Sequence, residues 1–256
     1  MSIITTSDDG VAIVTINQPQ RRNALTADMR EQLIASMNDL AERDDVRAIV
    51  LTGAGDAFCA GSDASGMGGR DAAASRKRLR SLQRSVLSIY QVEKPIIAAV
   101  NGACVGVGWS LALACDHIIA SETAFFSQIF GRMGLAPDGG SAWFLMRNIG
   151  LLRTKDLIYS CRRLAATDAL EWGLVNSVVP TSHLMDEAVR HARLLAKGPA
   201  MAIGLSKNML QLSASPSLEE FLESELLIQT QLTQSEDYKE GVAAFREKRQ
   251  PVFTGK

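Results

Sequence analysis

Apolar and polar residues alternate along the chain in a way that predicts strands and helices in turn. Two apolar segments, Ile3–Thr6 and Val11–Asn17, flank the dipeptide Asp9-Gly10 and predict an N-terminal hairpin. Apolar runs are typical of strands that are covered on both faces, and they occur at Val46–Thr52 and Ile96–Val100. Two further strands are predicted at Ile118–Ala120 and Val175–Val179.

Helical periodicity connects these strands and dominates the last quarter of the chain. Thr26 is expected to cap a helix that ends near Arg43, and further helices are predicted at Ala72–Tyr90, Gly106–Ala114 and Ala142–Asn148. Beyond Thr181 the pattern is helical at His183–Lys197, Ala200–Leu212, Leu218–Thr233 and Ser235–Lys248. Because strands alternate with helices, residues 1–180 are predicted to form an α/β fold with right-handed crossovers. Residues 181–256 are predicted to form a helical region whose apolar faces pack on a neighbouring subunit.

Composition narrows the classes of function. Of the 256 residues, 46% are hydrophobic and 21% are charged, and the formal net charge is −1. These values are ordinary for a globular protein and provide no basic field for nucleic acid or for an anionic membrane. The N-terminus lacks the pattern of a secretory signal, and polar residues interrupt the most apolar stretch, Ile96–Ala120. We therefore expect a cytoplasmic protein that binds neither nucleic acid nor membranes.

Cysteines and histidines are few and scattered. The four cysteines lie far apart without a CxxC pair, which predicts reduced thiols rather than disulfides or a cysteine zinc site. The three histidines form no HExxH or similar pair. The sequence therefore predicts no metal centre.

Two glycine-rich loops each follow a predicted strand. Gly106 and Gly108 match the first two glycines of a dinucleotide fingerprint, but Leu111 occupies the third position, which disfavours that interpretation. The other loop, Thr52–Asp63, lacks a phosphate-loop lysine, and its Ser62 stands outside a GxSxG motif. Backbone N–H groups at a helix start or in such a loop can bind a developing oxyanion. Close packing of the helix is an equally compatible reason for the small residues.

Asp138 is the acidic residue with the most ambiguous position. It follows Pro137 and precedes a predicted helix, where an aspartate commonly serves as a turn or N-cap residue. Its sequence neighbours are unusually apolar, and such surroundings disfavour a charged carboxylate, which suits a proton-transferring base. Both interpretations stay open on the sequence. Among the basic residues, the Arg76–Arg84 cluster predicts a solvated helix face, whereas Arg21-Arg22 and the C-terminal Arg246–Arg249 stand where they can reach phosphates.

Five segments, taken in order and spacing, resemble the crotonase (enoyl-CoA hydratase/isomerase) superfamily over essentially the whole chain. They are Asn17-x-Pro19-x3-Asn23-Ala24-Leu25, Phe58-Cys-Ala-Gly-Ser-Asp63, Asn101-Gly to Asp116, Gly134-Leu-x-Pro-Asp-Gly-Gly140 and Phe245-Arg-Glu-Lys-Arg249. The resemblance implies a spiral of ββα repeats with a helical C-terminal trimerisation region, assembled as a homotrimer or a dimer of trimers. It also implies an acyl-CoA substrate and no metal or redox cofactor, since coenzyme A enters as part of the thioester.

The resemblance also assigns roles to individual positions. Backbone N–H groups of Ser62 and Val107 would form the oxyanion hole, and the valine side chain would crowd the acyl pocket. The CoA and substrate contacts it implies involve Arg21, Arg22, Ala24, Ala60, Gly61, Asp63, Gly106, Phe130, Pro137, Phe245 and Lys248. Of these, Phe245 and Lys248 would reach the CoA of a neighbouring subunit.

The carboxylates distinguish the reactions of this superfamily. Its hydratases activate water between two glutamates, and the resemblance places those positions at Ser110 and Phe130, neither of which is acidic. Asp138 stands where isomerase branches carry their base. The resemblance therefore implies isomerisation of a 3-enoyl-CoA to the conjugated 2-enoyl-CoA. Alternatives that stay open are a weak hydratase, an aryl-CoA dehalogenase with Asp138 as nucleophile, a thioester hydrolase, and a CoA-binding assembly protein without catalysis.

Overall fold

The computed structural model describes residues 2–63, 71–212 and 216–256, and within these ranges the strands form two sheets. The large sheet has the order β1-β2-β3-β5-β7-β10, with bounds Ser2–Asp8, Val11–Asn17, Ala48–Gly53, Ile96–Val100, His117–Ser121 and Ser177–Val179. The small sheet has the order β4-β6-β8-β9, with bounds Ala57–Cys59, Ala103–Val105, Phe125–Ser127 and Leu164–Ala165. Strands β1 and β2 form the predicted antiparallel hairpin, and both turn residues, Asp9 and Gly10, have positive φ.

Nine helices lie in the same ranges. Their bounds, α1 to α9, are Ala27–Glu42, Ala72–Tyr90, Val107–Leu113, Ser141–Ser160, Ala166–Glu171, Leu184–Ala196, Ala200–Leu212, Leu218–Leu232 and Glu236–Glu247. Thr26 caps α1 as predicted, because its side chain accepts a hydrogen bond from the N–H of Met29.

The chain alternates between the two sheets in a regular way. Strands β3, β5 and β7 pair in parallel within the large sheet, and each is followed directly by a strand of the small sheet, β4, β6 or β8. A helix, α2, α3 or α4, then closes each unit. This arrangement confirms the spiral of ββα repeats.

Two layers of side chains cover the large sheet. One face joins the main core, where α1, α2 and α3 contribute leucines, methionines and Trp109. The opposite face packs on α6, whose Leu184, Ala188, Ala192 and Ala196 are all buried. The first helix beyond residue 180 thus covers the sheet of the preceding region. A division of the chain at that point stays a prediction.

The prediction was wrong or incomplete for the shortest elements. The loop expected at Thr52–Asp63 contains the three-residue strand β4. Strands β6, β8 and β9 were missed, since two or three residues are too few to establish a period. The six-residue helix α5 was missed as well. The helix expected at 142–148 extends to Ser160, because a non-helical residue, Gly150 with φ 72°, joins two helical stretches.

The cysteines of the fold are free thiols. Burial raises the pKa of Cys59 to about 12 and raises the pKa of Cys104 and Cys115 as well, so these thiols stay protonated at neutral pH. In the described parts of the chain no group of three or more His, Cys, Asp or Glu side chains is arranged to hold a metal ion. No helix in these parts combines the length and apolar character that crossing a membrane requires.

Candidate active site

Two asparagines hold the loops that border the site. Asn23, fully buried and with φ 58°, accepts a hydrogen bond from Gln18 N (2.8 Å) and donates to the carbonyls of Ala54 (2.8 Å) and Ala57 (2.6 Å). Asn101 donates from Nδ2 to the carbonyls of Gly53 (2.9 Å) and Gly55 (2.7 Å). The turn between β3 and β4 is therefore fastened from both sides, and β4 leads directly into the segment Ala60–Asp63.

The N–H of Ser62 faces away from Leu25, the residue with which Ser62 forms an isolated bridge. Leu25 and Ser62 form a parallel bridge, in which Leu25 N donates to Gly61 O (2.8 Å) and Asp63 N donates to Leu25 O (2.9 Å). In such a bridge the N–H of the central residue points to the other side. A Cβ placed on Gly61 (φ 103°) would lie 3.9 Å from the nitrogen of Val107, so that other side is the start of α3.

The N–H of Val107 is the first of helix α3, and the first N–H groups of a helix have no partner within it. Gly106, with φ 54° and ψ −120°, turns the chain into this helix, and its N–H donates to Ser127 O (2.9 Å). Gly108 allows α3 to approach β4 closely, since a Cβ there would overlap the carbonyl oxygen of Cys59 and lie 2.7 Å from its Cβ. Among the described residues, no backbone hydrogen bond uses the N–H of Ser62 or of Val107.

Asp138 does not cap the helix that follows it. Gly140, with φ 77°, is the N-cap residue of α4, and the end of that helix has no side-chain cap. The backbone carbonyl of Asp138 accepts hydrogen bonds from Ser110 Oγ (3.1 Å) and Ser141 Oγ (3.2 Å). Its carboxyl atom Oδ1 is buried and has no hydrogen-bond partner in the described parts of the chain. The structure thus favours the second of the two interpretations of this residue, a carboxylate that is available for chemistry.

Burial raises the pKa of Asp138 above the ordinary aspartate value, and the positive charges of Arg78 and Arg30 partly offset this effect. Arg78 lies on α2, one helical turn before Leu82, and Leu82 would contact a Cβ on Gly139 at 3.4 Å. Arg30 lies on α1 and is 4% exposed; its Nη1 donates to Leu25 O (3.4 Å). The sequence predicts Arg78 only as part of a solvated helix face and does not single out Arg30, because each acts on Asp138 only through the packing of its helix.

The two positions that the resemblance aligns with hydratase glutamates are both buried. Ser110 lies in the first turn of α3, three residues after Val107, and is fully buried. Phe130 is 5% exposed, and a Cβ on Gly106 would lie 3.6 Å from its ring. No carboxylate stands at either position, so Asp138 is the acid that the fold brings next to the start of α3.

A cationic groove lies beside Ala60 on the outer face of the small sheet. Its floor is apolar, its volume is about 220 Å³, and its arginines are Arg22, Arg132 and Arg163. Arg163 stacks on Phe125 (4.3 Å to the ring centroid), and no carboxylate lines the groove among the described residues. Close by in sequence, Arg21 is paired with Asp63 at 2.9 Å. Of the predicted group Arg21, Arg22, Ala24, Ala60, Gly61 and Asp63, the groove contains Arg22 and Ala60, and the structure adds Arg132 and Arg163 to them. Asp63 lines a separate cavity between α1 and α2.

The C-terminal candidates lie elsewhere in the chain. Phe245 and Lys248 stand at the end of α9 and are exposed, and Phe245 borders a cavity of about 450 Å³ between α7, α8, α9 and the last residues. This cavity shares no lining residue with the region around Asp138. A role for these two residues at the CoA of a neighbouring subunit stays a prediction.

Comparison with known proteins gives consistent relatives. The family described as enoyl-CoA hydratase/isomerase matches residues 6–256. The chain is 39% identical over 253 residues to a Rhodobacter capsulatus protein named probable enoyl-CoA hydratase, with 97% of this chain and 96% of that protein covered. It is 36% identical over 258 residues to 1,2-epoxyphenylacetyl-CoA isomerase of Escherichia coli, with 99% and 98% covered. The crystal structure of an enoyl-CoA hydratase from Bacillus anthracis superposes with a TM-score of 0.94 at 32% identity and covers 99% of each chain.

Proposed function

This chain belongs to the enoyl-CoA hydratase/isomerase family, and we propose that it isomerises 3-enoyl-CoA thioesters to conjugated 2-enoyl-CoA thioesters with Asp138 as the base. The observation that carries this proposal is the Asp138 carboxyl, whose Oδ1 is buried and unpartnered beside the start of α3. A base that transfers a proton near neutral pH benefits from a raised pKa, and burial supplies that shift.

The proposed reaction needs one carboxylate and two backbone donors. In a 3-enoyl-CoA the thioester and the alkene both acidify the C2 proton, which Asp138 removes. The negative charge of the resulting dienolate collects on the thioester oxygen, where the N–H groups of Ser62 and Val107 donate to it. The protonated Asp138 then returns the proton at C4. The proton therefore leaves and returns through one group, and the substrate is neither oxidised nor hydrated.

Hydration is disfavoured by the side chains at positions 110 and 130. Water addition in this family relies on carboxylates there, and the chain has Ser110 and Phe130, both buried. Relatives named as hydratases support the acyl-CoA substrate, whereas the relative named as an isomerase supports an isomerase branch. The groove lined by Arg22, Arg132 and Arg163 supports CoA binding, because its cations offset phosphate charge.

The test compares wild type with Asp138→Asn on 3-enoyl-, 2-enoyl- and aryl-CoA thioesters. We expect conjugation of the 3-enoyl substrate by wild type and a loss of about 1,000-fold in kcat for the variant, since general-base catalysis typically contributes about 10²–10⁴-fold. CoA affinity should stay unchanged. Full isomerase activity in Asp138→Asn would refute the role of Asp138. Hydration, halide release, free CoA or no reaction as the only outcome for wild type would support one of the alternative activities instead.

We also propose a homotrimer or a dimer of trimers. Helix α8 has no buried residue in the described structure, and its Leu218, Leu222, Leu226 and Leu227 are exposed. Exposed apolar surface of this extent on one helix marks an interaction face. Light scattering should give three or six times the 27.6 kDa chain mass; a monomer would contradict the proposal.

A further inference from the structure

We propose that Ser110 is a positioning residue that sets the location of the Asp138 carboxyl, and that residue 110 thereby decides which base this site can use. The inference deepens the proposed function and rests on it. Ser110 touches neither the reacting atoms nor the carboxyl itself; it acts through the backbone of Asp138.

The first observation is that the Asp138 side chain is not held by contacts at its Oδ1. This atom is buried without a hydrogen-bond partner among the described residues. The location of the carboxyl therefore depends on the backbone of residues 137–140, where Gly139 and Gly140 both have positive φ. A segment with two such glycines has little intrinsic stiffness, so neighbouring groups must hold it.

The hydroxyl of Ser110 provides that hold. Its Oγ lies 3.1 Å from the carbonyl oxygen of Asp138 and 3.4 Å from that of Gly106, so Asp138 is the better acceptor. Ser141 Oγ also reaches the Asp138 carbonyl (3.2 Å), but it lies equally close to Gln128 Oε1 (3.2 Å). A hydroxyl has one proton to donate. Of the two serines, Ser110 is thus the one whose shortest hydrogen bond is donated to the backbone carbonyl of Asp138.

The second observation is steric. A Cβ on Gly139 would lie 2.8 Å from the Cβ of Ser110 and 2.9 Å from its Oγ. The loop therefore lies directly on the serine, and a longer side chain at 110 has no room unless the loop moves. A glutamate there would occupy the space of the Gly139 backbone and displace Asp138. We therefore expect a carboxylate at residue 110 to be incompatible with Asp138 in its observed place.

The experiment measures Ser110→Ala against the matched control Ser85→Ala. Ser85 is equally buried on a helix and donates to the carbonyl of Leu82 at 2.8 Å, so the control removes the same kind of bond within α2 and leaves every hydrogen bond to the Asp138 carbonyl intact. For Ser110→Ala we expect kcat to fall about tenfold with KM changed less than twofold, because a misplaced base weakens the transition state more than substrate binding. Ser85→Ala should keep the wild-type kcat.

The pH profile separates positioning from a general structural defect. Release of the loop lets water reach the Asp138 carboxyl, so the acid limb of kcat/KM should move to lower pH in Ser110→Ala. The charged groups that face Asp138 are Arg78 of α2 and Arg30 of α1, and both are retained in the variant. Wild-type kcat together with an unmoved acid limb would overturn the inference.

Two further measurements keep this outcome distinct from failure of the proposed function. The Asp138 carboxyl can be titrated by carbon NMR in both proteins without any turnover. A lower pKa in Ser110→Ala supports the positioning role even if wild type isomerises no 3-enoyl-CoA, and an equal pKa contradicts it. In Ser110→Glu the isomerase activity should fall at least 100-fold, as expected for displacement of the base by about 1 Å or more; retained activity would contradict the steric argument.

Discussion

Different interactions hold the two sheets of this protein in place. In the large sheet, β3 and β5 are entirely buried apolar strands, covered by the main core on one face and by α6 on the other. In the small sheet the strands have only two or three residues, and glycines beside them allow backbones to meet closely, as Gly108 does against Cys59. The proposed oxyanion donors and Asp138 all lie near the small sheet.

This difference between the sheets predicts which substitutions each of them tolerates. Burial of apolar side chains stabilises the large sheet, and the free energy lost in a substitution is proportional to the apolar area that is no longer buried. Close contact between backbones determines the packing at the small sheet. A methyl group added to Gly108 would therefore overlap a backbone carbonyl oxygen. Substitutions in the two sheets should therefore differ in kind: the large sheet should lose stability and the small sheet should lose activity.

Among the substitutions that keep Asp138, Gly108→Ala should have the largest effect on activity. The added Cβ overlaps the carbonyl oxygen of Cys59, so α3 must shift away from β4 and carry the N–H of Val107 with it. Because a displacement of about 1 Å costs roughly 100-fold in rate, we expect kcat/KM for isomerisation to fall at least that far. Steady-state kinetics on variant protein with a folded circular dichroism spectrum checks this. Wild-type activity would show that the close approach is dispensable.

Arg78→Gln should have an intermediate effect, visible in the pH profile. The positive charge of Arg78 lowers the pKa of Asp138, whereas burial raises it. Removal of the charge leaves burial less opposed, so the pKa rises and the acid limb of kcat/KM moves to higher pH. Arg80→Gln, on the exposed side of the same helix, is the matched control and should leave the limb in place. Equal profiles for both variants would argue against Arg78 acting on the base.

The raised pKa of Asp138 also affects the free energy of unfolding, and its dependence on pH is opposite to that of a salt-bridged aspartate, whose pKa is lowered. Because the folded-state pKa of Asp138 lies above its unfolded value, the folded protein gains stability as pH falls through the folded pKa and loses it above. Asp138→Asn should therefore raise the Tm at pH 7 while it removes activity. A lower Tm for the variant at that pH would contradict the assigned shift.

Ile97→Val in the large sheet should have the smallest effect on function. Ile97 is fully buried against α6, on the face opposite the main core. Loss of one methylene there should lower the free energy of unfolding by about 1 kcal/mol and leave kcat/KM within about twofold of wild type. Urea denaturation and kinetics measure the two quantities. An activity loss larger than the stability loss explains would show that the two sheets are coupled more tightly than their contacts indicate.

The sequence predicted the elements that are long or strongly patterned. The hairpin at Asp9-Gly10, the Thr26 cap and the buried strands at Ile96–Val100 and around Val50 follow from local turn chemistry and from apolar runs. The short strands β4, β6, β8 and β9 left no such pattern, because their pairing depends on partners far away in the chain. The ordered set of motifs was needed to predict the ββα spiral.

For the candidate site, the sequence alone determined which chemical groups exist. It determined that acids are missing at Ser110 and Phe130, that Asp138 follows Pro137, and that glycines surround the proposed donor positions. Only the tertiary structure decided the state of Asp138, since a cap and a free carboxylate look identical in sequence. Its carboxylate does not cap α4 because Gly140 is the N-cap residue, while Ser110 holds its backbone and the charge of Arg78 on α2 acts on its pKa. These contacts join residues 28 and 60 positions apart, a separation at which local sequence patterns carry no information about distance.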